Sequence, residues 1–290
     1  MNIVFLVLHY KEFDVTKRCV DSIVKYKNCE VVVMDNGSNN FSGEKLINYY
    51  ANNNNVHVIV SHENWGFSKG NNFAYKKMRE FGICPDFLIV CNNDLIFEQK
   101  DFIYNLVSIY KAKEAAIIGP DIRMYENPEI HQNPLMLRAR TVDEIRQYKQ
   151  EIDAKLSKIN SILIKQRVKK IVRSILNRKI IQVNLIEFDY ASECENVCLC
   201  GACLIFTPTF LKKYKSGLFE PETNFYHEEE ILFYRLKKNN DFMLYTPKLT
   251  VLHDHSVSTS KRFSNERQRL EFQYTNNLNS CDVLIDFINK

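Results

Sequence analysis

Two asparagines and an aspartate interrupt one of the most apolar stretches of the chain. In FLIVCNNDLIF, residues 87–97, Asn92, Asn93 and Asp94 stand where a buried strand would end. Burying so much polarity costs free energy unless a cation, a ligand or a tight turn uses it. A single carboxylate suits Mg²⁺ or Mn²⁺, which complete their coordination with substrate phosphates and water. A turn built on local Asn and Asp hydrogen bonds is the alternative.

A glycine-containing segment, HENWGFSKGNN at residues 62–72, directly precedes a predicted helix. Gly66 and Gly70 bracket an aromatic and a cationic residue. Glycine lets the backbone approach a ligand closely, and a helix N-terminus favours an anion. The spacing fits neither a Walker loop nor a dinucleotide-binding fingerprint. An ordinary loop ending in a helix remains the alternative.

Three consecutive acids, Glu228, Glu229 and Glu230, open another predicted helix in NFYHEEEILFYRLKK. Acids at a helix start are stabilised by the helix dipole, which is their structural explanation. One of them at the rim of a pocket could act as a general base. Further on, VLHDHSVSTS ends a strand with His253 and His255, either of which could complete a metal site.

Four cysteines form the only cluster with the composition of a zinc site: Cys194, Cys198, Cys200 and Cys203. Their spacing lacks the paired C-x2-C knuckles of such sites. Because LCGACLIF has the pattern of a buried strand, where cysteine acts as a small apolar residue, core packing is the favoured interpretation.

Alternating strands and helices must position these residues. The pattern predicts strands at residues 3–8, 30–34, 56–60, 87–91 and 115–119, with helices at 16–26, 43–50, 68–81 and 101–111 between them. Continuous apolar strands separated by amphipathic helices indicate an α/β fold with a mostly parallel sheet flanked by helices. The later part predicts a strand at 199–206, a helix at 228–238, a strand at 249–253 and a charged helix from 261 to about 276.

Ligands of such sheets bind beyond the carboxyl ends of the strands. Three polar clusters fall at predicted strand ends: His9-Tyr10, Asp35-Asn36-Gly37-Ser38 and Asn92-Asn93-Asp94. We therefore expect these three clusters to meet at one edge of the sheet.

The segment at about residues 125–184 differs in charge from the rest. Between Asp153 and Glu187 there is no acidic residue, whereas lysines and arginines are frequent. Apolar residues from Ile164 to Leu176 recur at helical spacing and predict a basic amphipathic helix. Such a helix could contact a membrane surface, or it could pack on the domain with a solvated basic face.

Bulk properties narrow the class of protein. The chain has 290 residues, 45% apolar content and a formal charge of +4, which gives no indication of nucleic-acid binding. The N-terminus lacks the basic region of a signal peptide, and no apolar run reaches the roughly 20 residues of a transmembrane helix. Nine cysteines in such a chain indicate a reduced, cytoplasmic protein.

Taken in order, these motifs resemble the family-2 glycosyltransferases, which have the nucleotide-sugar-binding GT-A fold. The resemblance runs from Ile3 to about Ser260 and leaves out the basic segment, so it implies a domain at 1–260, a helical insertion at about 125–184 and a C-terminal helical tail at 261–290. The segments that carry it, besides His9-Tyr10, are VVVMDNGSNN, ENWGFSKGNNFA, FLIVCNNDLIF, LCGACLIF, FYHEEEILFYRL and TPKLTVLHDHSVST.

This resemblance implies roles for individual residues. Asp94 would bind a divalent cation, Mg²⁺ or Mn²⁺, with His253 as a further ligand. By register against Arg235, Glu229 falls at the position of the catalytic base and Glu228 at the position before it. Glutamate replaces the family's aspartate here, so either could act, and Glu229 is favoured. The implied nucleotide-sugar-binding residues are His9, Tyr10, Asp35, Asn36, Asn64, Gly66, Phe67, Gly70, Asn71, Asn92 and Asn93.

The implied activity is inverting transfer of a sugar from a UDP- or dTDP-sugar to a glycan or lipid-linked acceptor, in surface-polysaccharide assembly. Peripheral contact with the inner membrane face is a further expectation. A nucleotidyltransferase is one alternative, although it would need a glycine-rich loop after the first strand, where this chain has His9-Tyr10-Lys11-Glu12. A non-catalytic nucleotide- or glycan-binding module is another, and the glutamate cluster argues against it.

Overall fold

A single mixed sheet organises the chain. Within the residues that the computed structural model describes, 1–165, 188–254, 263 and 265–290, ten strands belong to this sheet. The strands are β1 Ile3–His9, β2 Cys29–Asn36, β3 Val56–Ser61, β4 Phe87–Asn92, β5 Leu95–Ile96, β6 Ile117–Met124, β7 Asn127–His131, β8 Cys194–Glu195, β9 Cys203–Phe206 and β10 Met243–His253.

Helices connect these strands and cover both faces of the sheet. They are α1 Phe13–Ile23, α2 Ser42–Tyr50, α3 Ser68–Glu80, α4 Phe102–Lys113, α5 Val142–Ser157, α6 Pro208–Lys213, α7 Glu228–Lys238 and α8 Glu266–Asn289. None of the helices in the described ranges combines the length and apolarity needed to cross a bilayer.

The sheet has a parallel half and a mixed half, in the order β3-β2-β1-β4-β9-β6-β10-β5. The pairs among β3, β2, β1 and β4 are parallel, as predicted. β9 runs antiparallel to both β4 and β6, and β5 runs antiparallel to β10. In the second half β6 and β10 are a parallel pair, so the prediction of a mostly parallel sheet is only partly right.

The apolar runs form buried strands because both faces of the sheet are covered. Successive residues of β1 point to opposite faces: Phe5 packs in the cluster that includes Val20 of α1, and Leu6 packs in the cluster that includes Met78 of α3. Both side chains are fully buried. This packing fixes the position of the strand end, and therefore the position of the polar residues that follow it.

Several predicted boundaries move. β10 begins at Met243, six residues before the predicted start, and α8 continues to Asn289 instead of ending near Asn276. In the basic segment, α5 starts at a capping box formed by Thr141 and Glu144. The apolar positions from Val168 to Leu176, on which the basic amphipathic helix was predicted, lie outside the described residues.

The C-terminal helix packs against the rest of the domain. Cys281 and Leu284 of α8 form one apolar cluster with Ile145 of α5 and Ile231 of α7. A second cluster joins α8 to α5 through Leu270, Tyr274 and Ile152. These contacts bring α8 over the carboxyl edge of the sheet.

Candidate active site

Three strand ends meet at one edge of the sheet, as the sequence predicts. His9 lies opposite Asp35 in the β1–β2 pair, and Leu8 lies opposite Asn92 in the β1–β4 pair. The buried Asp35 carboxylate accepts hydrogen bonds from the backbone N–H of Ser38, at 3.1 Å, and from its hydroxyl. Burial raises the pKa of Asp35 despite these bonds.

The side chain of His9 is turned into the protein. Its Nδ1 lies 2.6 Å from Thr16 Oγ1 and its Nε2 lies 2.8 Å from Ser42 Oγ, so it ties β1 to α1 and α2. Burial lowers the pKa of His9 to about 4. This imidazole is therefore neutral at pH 7, and position 9 can offer a ligand only its backbone. Tyr10 is half-buried, with the Lys11 ammonium 4.9 Å from its ring centroid.

Asn36 and Asn64 shape the loop at residues 64–67. Asn36 donates to the Gly66 carbonyl at 2.8 Å and accepts from the Trp65 N–H at 2.8 Å. Asn64 Oδ1 accepts from the Gly66 N–H at 3.0 Å. Gly66 has φ +77°, and a Cβ there would lie 2.4 Å from the Asn224 carbonyl oxygen. The predicted loop thus depends on glycine at this position.

The start of α3 rests against this loop. The Phe67 N–H donates to the Asn224 carbonyl at 2.8 Å, and Gly70 lies against Leu8 and Asn36. Asn71 donates to the Phe67 carbonyl at 3.0 Å. Its Oδ1 is buried and has no hydrogen-bond partner among the described residues. Of the residues predicted in this segment, Phe67 reaches the cavity described below.

Asp94 and His253 lie side by side. The sheet register brings them together, because Leu95 of β5 pairs with His253 of β10. Asp94 is 3% exposed, and its Oδ1 lies 3.1 Å from His253 Nε2. His253 Nδ1 lies 2.7 Å from Gln132 Oε1, which fixes the ring. Nearby, Asn93 donates to Thr16 Oγ1 at 2.8 Å.

The chemistry of this pair suits a divalent cation. A carboxylate oxygen and an imidazole nitrogen are both metal ligands, and Asp94 Oδ1 and His253 Nε2 lie 3.1 Å apart, within hydrogen-bonding distance. No group of three or more His, Cys, Asp or Glu side chains suited to a metal ion occurs in the described ranges. An ion held here would need its remaining ligands from substrate and water, as Mg²⁺ and Mn²⁺ commonly do.

The three glutamates have different surroundings. Glu230 is 1% exposed and bonded to Arg140, whose Nε lies 2.9 Å from Oε1, and to His227. Burial alone would raise the pKa of Glu230, but these two partners outweigh burial and lower it. Glu228 is buried and accepts from the Thr223 hydroxyl at 3.3 Å. Burial, and then the charge of Glu229, raise the pKa of Glu228 well above its usual value.

Glu229 is the glutamate with a half-exposed side chain. Its Oε1 accepts from the Gly201 N–H at 3.1 Å, and a Cβ at position 201 would lie 2.4 Å from that oxygen. Burial raises the pKa of Glu229. The preceding turn is unusual, since Tyr226 and His227 both have positive φ, +70° and +64°. Such strain in non-glycine residues is concentrated at functional sites.

One cavity of about 680 Å³ joins these features. Asn92, Phe67, Glu228, Glu229 and His253 all line it, so the base candidate and the metal-ligand candidate face the same space. Residues that the sequence did not single out complete its walls: Arg140, Tyr148, Phe263, Arg269, Phe272, Gln273 and Asn277. For Phe263, Arg269, Phe272, Gln273 and Asn277 the charged, helical pattern after residue 261 was the one signal, and it could not tell where the helix packs. Arg140 and Tyr148 had no such signal.

The four cysteines of the segment at residues 194–203 lie in or near the core. Cys198 and Cys203 are fully buried in the core, and Cys194 and Cys200 are half-buried. Burial raises the pKa of each of these thiols. This environment agrees with their interpretation as packing residues.

Comparison with known proteins agrees with the architecture. The sequence profile of Glycosyl transferase family 2 matches residues 5–180, more than half of the chain. No curated protein matches it significantly. Among solved structures, GalNAc-T7 with UDP, GalNAc and Mn²⁺ is 15% identical with a TM-score of 0.57, and the match covers 88% of this chain but 44% of that one. The mannosyltransferase PcManGT from Pyrobaculum calidifontis, with GDP-Man and Mn²⁺, is 10% identical with a TM-score of 0.52, covering 97% and 73%.

Proposed function

This chain belongs to glycosyltransferase family 2, and we propose that it transfers a sugar from a nucleoside-diphosphate donor to a hydroxyl group of its acceptor. The observation that carries this proposal is the shared cavity. Glu229 lines it, and so does His253, which is bonded to Asp94. A base and a cation-binding pair in one space suit a reaction that removes a proton from one partner and a charged leaving group from the other.

The donor occupies the carboxyl edge of the sheet in this proposal. Asp35 accepts hydrogen bonds from the nucleotide base, and the loop at residues 64–67 borders the diphosphate and sugar. Asp94 and His253 would hold a divalent cation, which would supply Lewis-acid neutralisation of the negative charge on the diphosphate leaving group. The GalNAc-T7 and PcManGT structures, both with Mn²⁺ and a nucleotide, support this assignment by analogy.

The acceptor hydroxyl approaches Glu229, which takes its proton as the new glycosidic bond forms. The bond from the Gly201 N–H fixes the carboxylate. A buried carboxylate with a raised pKa is a stronger base than a solvated one, provided that it is ionised. A single base acting opposite the leaving group gives inversion at the anomeric carbon.

The wider setting rests on the family and on the sequence. A UDP- or dTDP-sugar as donor, a glycan or lipid-linked acceptor and a role in surface-polysaccharide assembly are parts of the proposal. Peripheral docking at the inner face of the cytoplasmic membrane would use the basic segment, most of which lies outside the described residues.

Release of nucleoside diphosphate from a panel of nucleotide sugars, with Mn²⁺ or Mg²⁺, tests the proposal. We expect turnover with one donor class, and about 10³-fold less in Glu229→Gln, the contribution of a general base. Glu151→Gln, at an exposed position of α5, is the matched control and should behave as wild type. Equal turnover in Glu229→Gln would contradict its role, and absence of turnover with every donor would favour a binding module.

A further inference from the structure

A second cavity, of about 800 Å³, lies on the other side of the loop at residues 64–67. Phe67 of this loop lines the active-site cavity, whereas Trp65 lines the second one. Helix α3 forms one wall and the segment at residues 215–222 forms the opposite wall. Its volume is in the range of ligand-binding pockets.

The second cavity is held open by buried polar contacts. Asn72 accepts from the Leu218 and Phe219 N–H groups, both at 3.0 Å, and donates to the Phe219 carbonyl at 2.7 Å. Arg235, itself buried, donates to the Gly217 carbonyl at 3.0 Å and to Ser216 Oγ at 2.9 Å. Because these hydrogen bonds attach the segment at residues 215–222 to α3 and α7, they fix the position of this wall of the cavity.

An aromatic pair forms part of the wall. Trp65 and Phe73 stack with ring centroids 5.8 Å apart and an interplanar angle of 14°. Phe73 is covered by Trp65 and also has the Lys77 ammonium 5.8 Å from its ring centroid, so the half-buried Trp65 provides the accessible ring surface. The negative π faces of such rings attract the positively polarised C–H faces of sugar rings.

Cations surround this platform. Lys69, Lys76, Arg79 and Lys215 line the cavity, and in the described ranges none of them forms an ion pair. Three carboxylates also line the cavity: Glu80, which pairs with Lys77 at 2.8 Å, Glu222, which accepts from Asn72 at 2.9 Å, and Glu220. Lys215 donates to the Leu211 carbonyl at 2.9 Å, and the Arg79 guanidinium lies 5.7 Å from the Tyr75 ring centroid. The four lining cations outnumber the three lining carboxylates, and Lys69, Lys76 and Arg79 all lie along α3. Lys69 to Arg79 extend along about 15 Å of helix, enough for a chain of several rings.

We propose that this second cavity binds an anionic oligosaccharide, with a sugar ring on Trp65 and acidic groups on the cations of α3. The inference rests on the proposed glycosyltransferase function, in which a growing or acceptor glycan would be held beside the site that extends it. Binding here requires neither the donor nor Glu229.

Trp65 is the single tryptophan of the chain, so its fluorescence reports on this cavity directly. We expect a hyaluronan hexasaccharide to shift the emission saturably and maltohexaose, which is neutral, to have little effect. The Lys76→Ala/Arg79→Ala variant should bind the hexasaccharide about tenfold more weakly, the loss expected from two exposed charge contacts. Lys45→Ala, which removes an exposed lysine of α2, should bind it as wild type does.

Three outcomes would overturn the proposal: no emission change with hyaluronan hexasaccharide, equal binding of maltohexaose, or complete competition by inorganic phosphate, which would reduce the cavity to an anion site. Nucleotide binding with Mn²⁺ separates this test from the proposed function. It should persist in Lys76→Ala/Arg79→Ala, whereas Asp94→Ala should lose it and still bind the hexasaccharide.

Discussion

Three identical side chains in a row acquire different properties from their neighbours. All three line the cavity, but Glu230 is bonded to Arg140 and His227, Glu228 is buried against Thr223, and Glu229 is half-exposed and bonded to the Gly201 N–H. The sequence could predict that acids gather at this helix start. The choice among them depends on Arg140, which lies far away in the chain, and on the Gly201 backbone, so it required the three-dimensional structure.

The pH dependence of turnover should report on Glu229. Burial raises the pKa of Glu229, and its protonated form cannot accept a proton, so activity falls as the pH decreases through that raised value. We expect the acidic limb of the kcat/KM profile to lie above the ordinary glutamate pKa of about 4.3. Steady-state rates across the acidic range measure it. A limb at or below that ordinary value would mean that another group is titrating.

At the scale of elements, the loop at residues 64–67 separates the two cavities and depends on one glycine. Gly66→Ala adds both a strained positive φ and a clash with the Asn224 carbonyl, and should lower the free energy of unfolding by about 3 kcal/mol. Gly82→Ala is a matched control, since Gly82 has φ +81° but no neighbour within 4 Å of an added Cβ. It should cost about 1 kcal/mol. Urea unfolding measures both, and equal losses would refute the clash.

Helix α8 supports the turn that carries the base. Ser280 Oγ donates to the Phe225 carbonyl at 2.8 Å, and Cys281 Sγ lies 3.4 Å from His227 Nε2, beside the two residues with positive φ. Two such conformations cost about 1–3 kcal/mol each and persist only where neighbours hold them. The helix therefore contributes to the position of Glu229 from outside the segment that the family profile matches.

Ser280→Ala should loosen this turn and lower kcat by up to about tenfold, because one net hydrogen bond is worth about 1 kcal/mol. The dissociation constant of the donor should stay unchanged, since the donor side of the cavity is untouched. Ser157→Ala, which removes a hydroxyl bonded only within α5, is the control. A parallel loss of donor affinity and kcat would point to general destabilisation instead.

At the scale of the whole molecule, the sequence predicted the parallel half of the sheet well. Continuous apolar runs such as those of β1 and β4 fit strands that are buried on both faces, which is the arrangement in a parallel sheet. The antiparallel pairs of the mixed half were not predicted because β9 and β5 are only four and two residues long, and their direction is set by pairing with distant strands. The position of α8 depends on apolar contacts with α5 and α7, which a charged, weakly amphipathic sequence does not disclose.

The site, like the sheet, could be predicted from the sequence only in part. Asp94, His253 and Glu229 were predicted as chemical groups from their types and motifs. In the structure Glu229 and His253 line one cavity, and Asp94 lies 3.1 Å from His253. Arg140, Tyr148 and the residues of α8 that complete it had no motif. The side chains of His9 and Asn36 bond to protein partners at the strand ends and the loop, and Asn64 Oδ1 accepts from the Gly66 N–H. Their roles in nucleotide-sugar binding stay predictions.

The central claim is that Asp94 binds the cation and Glu229 removes the proton. Calorimetric titration of the donor's nucleoside diphosphate, with and without Mn²⁺, tests it most directly. Asp94→Asn should lose the Mn²⁺-dependent part of the affinity, at least about tenfold, because one cation ligand is gone. Glu229→Gln should bind the nucleotide as wild type does while failing to turn over. An Asp94→Asn protein that binds the nucleotide with the same Mn²⁺ dependence as wild type would contradict the account.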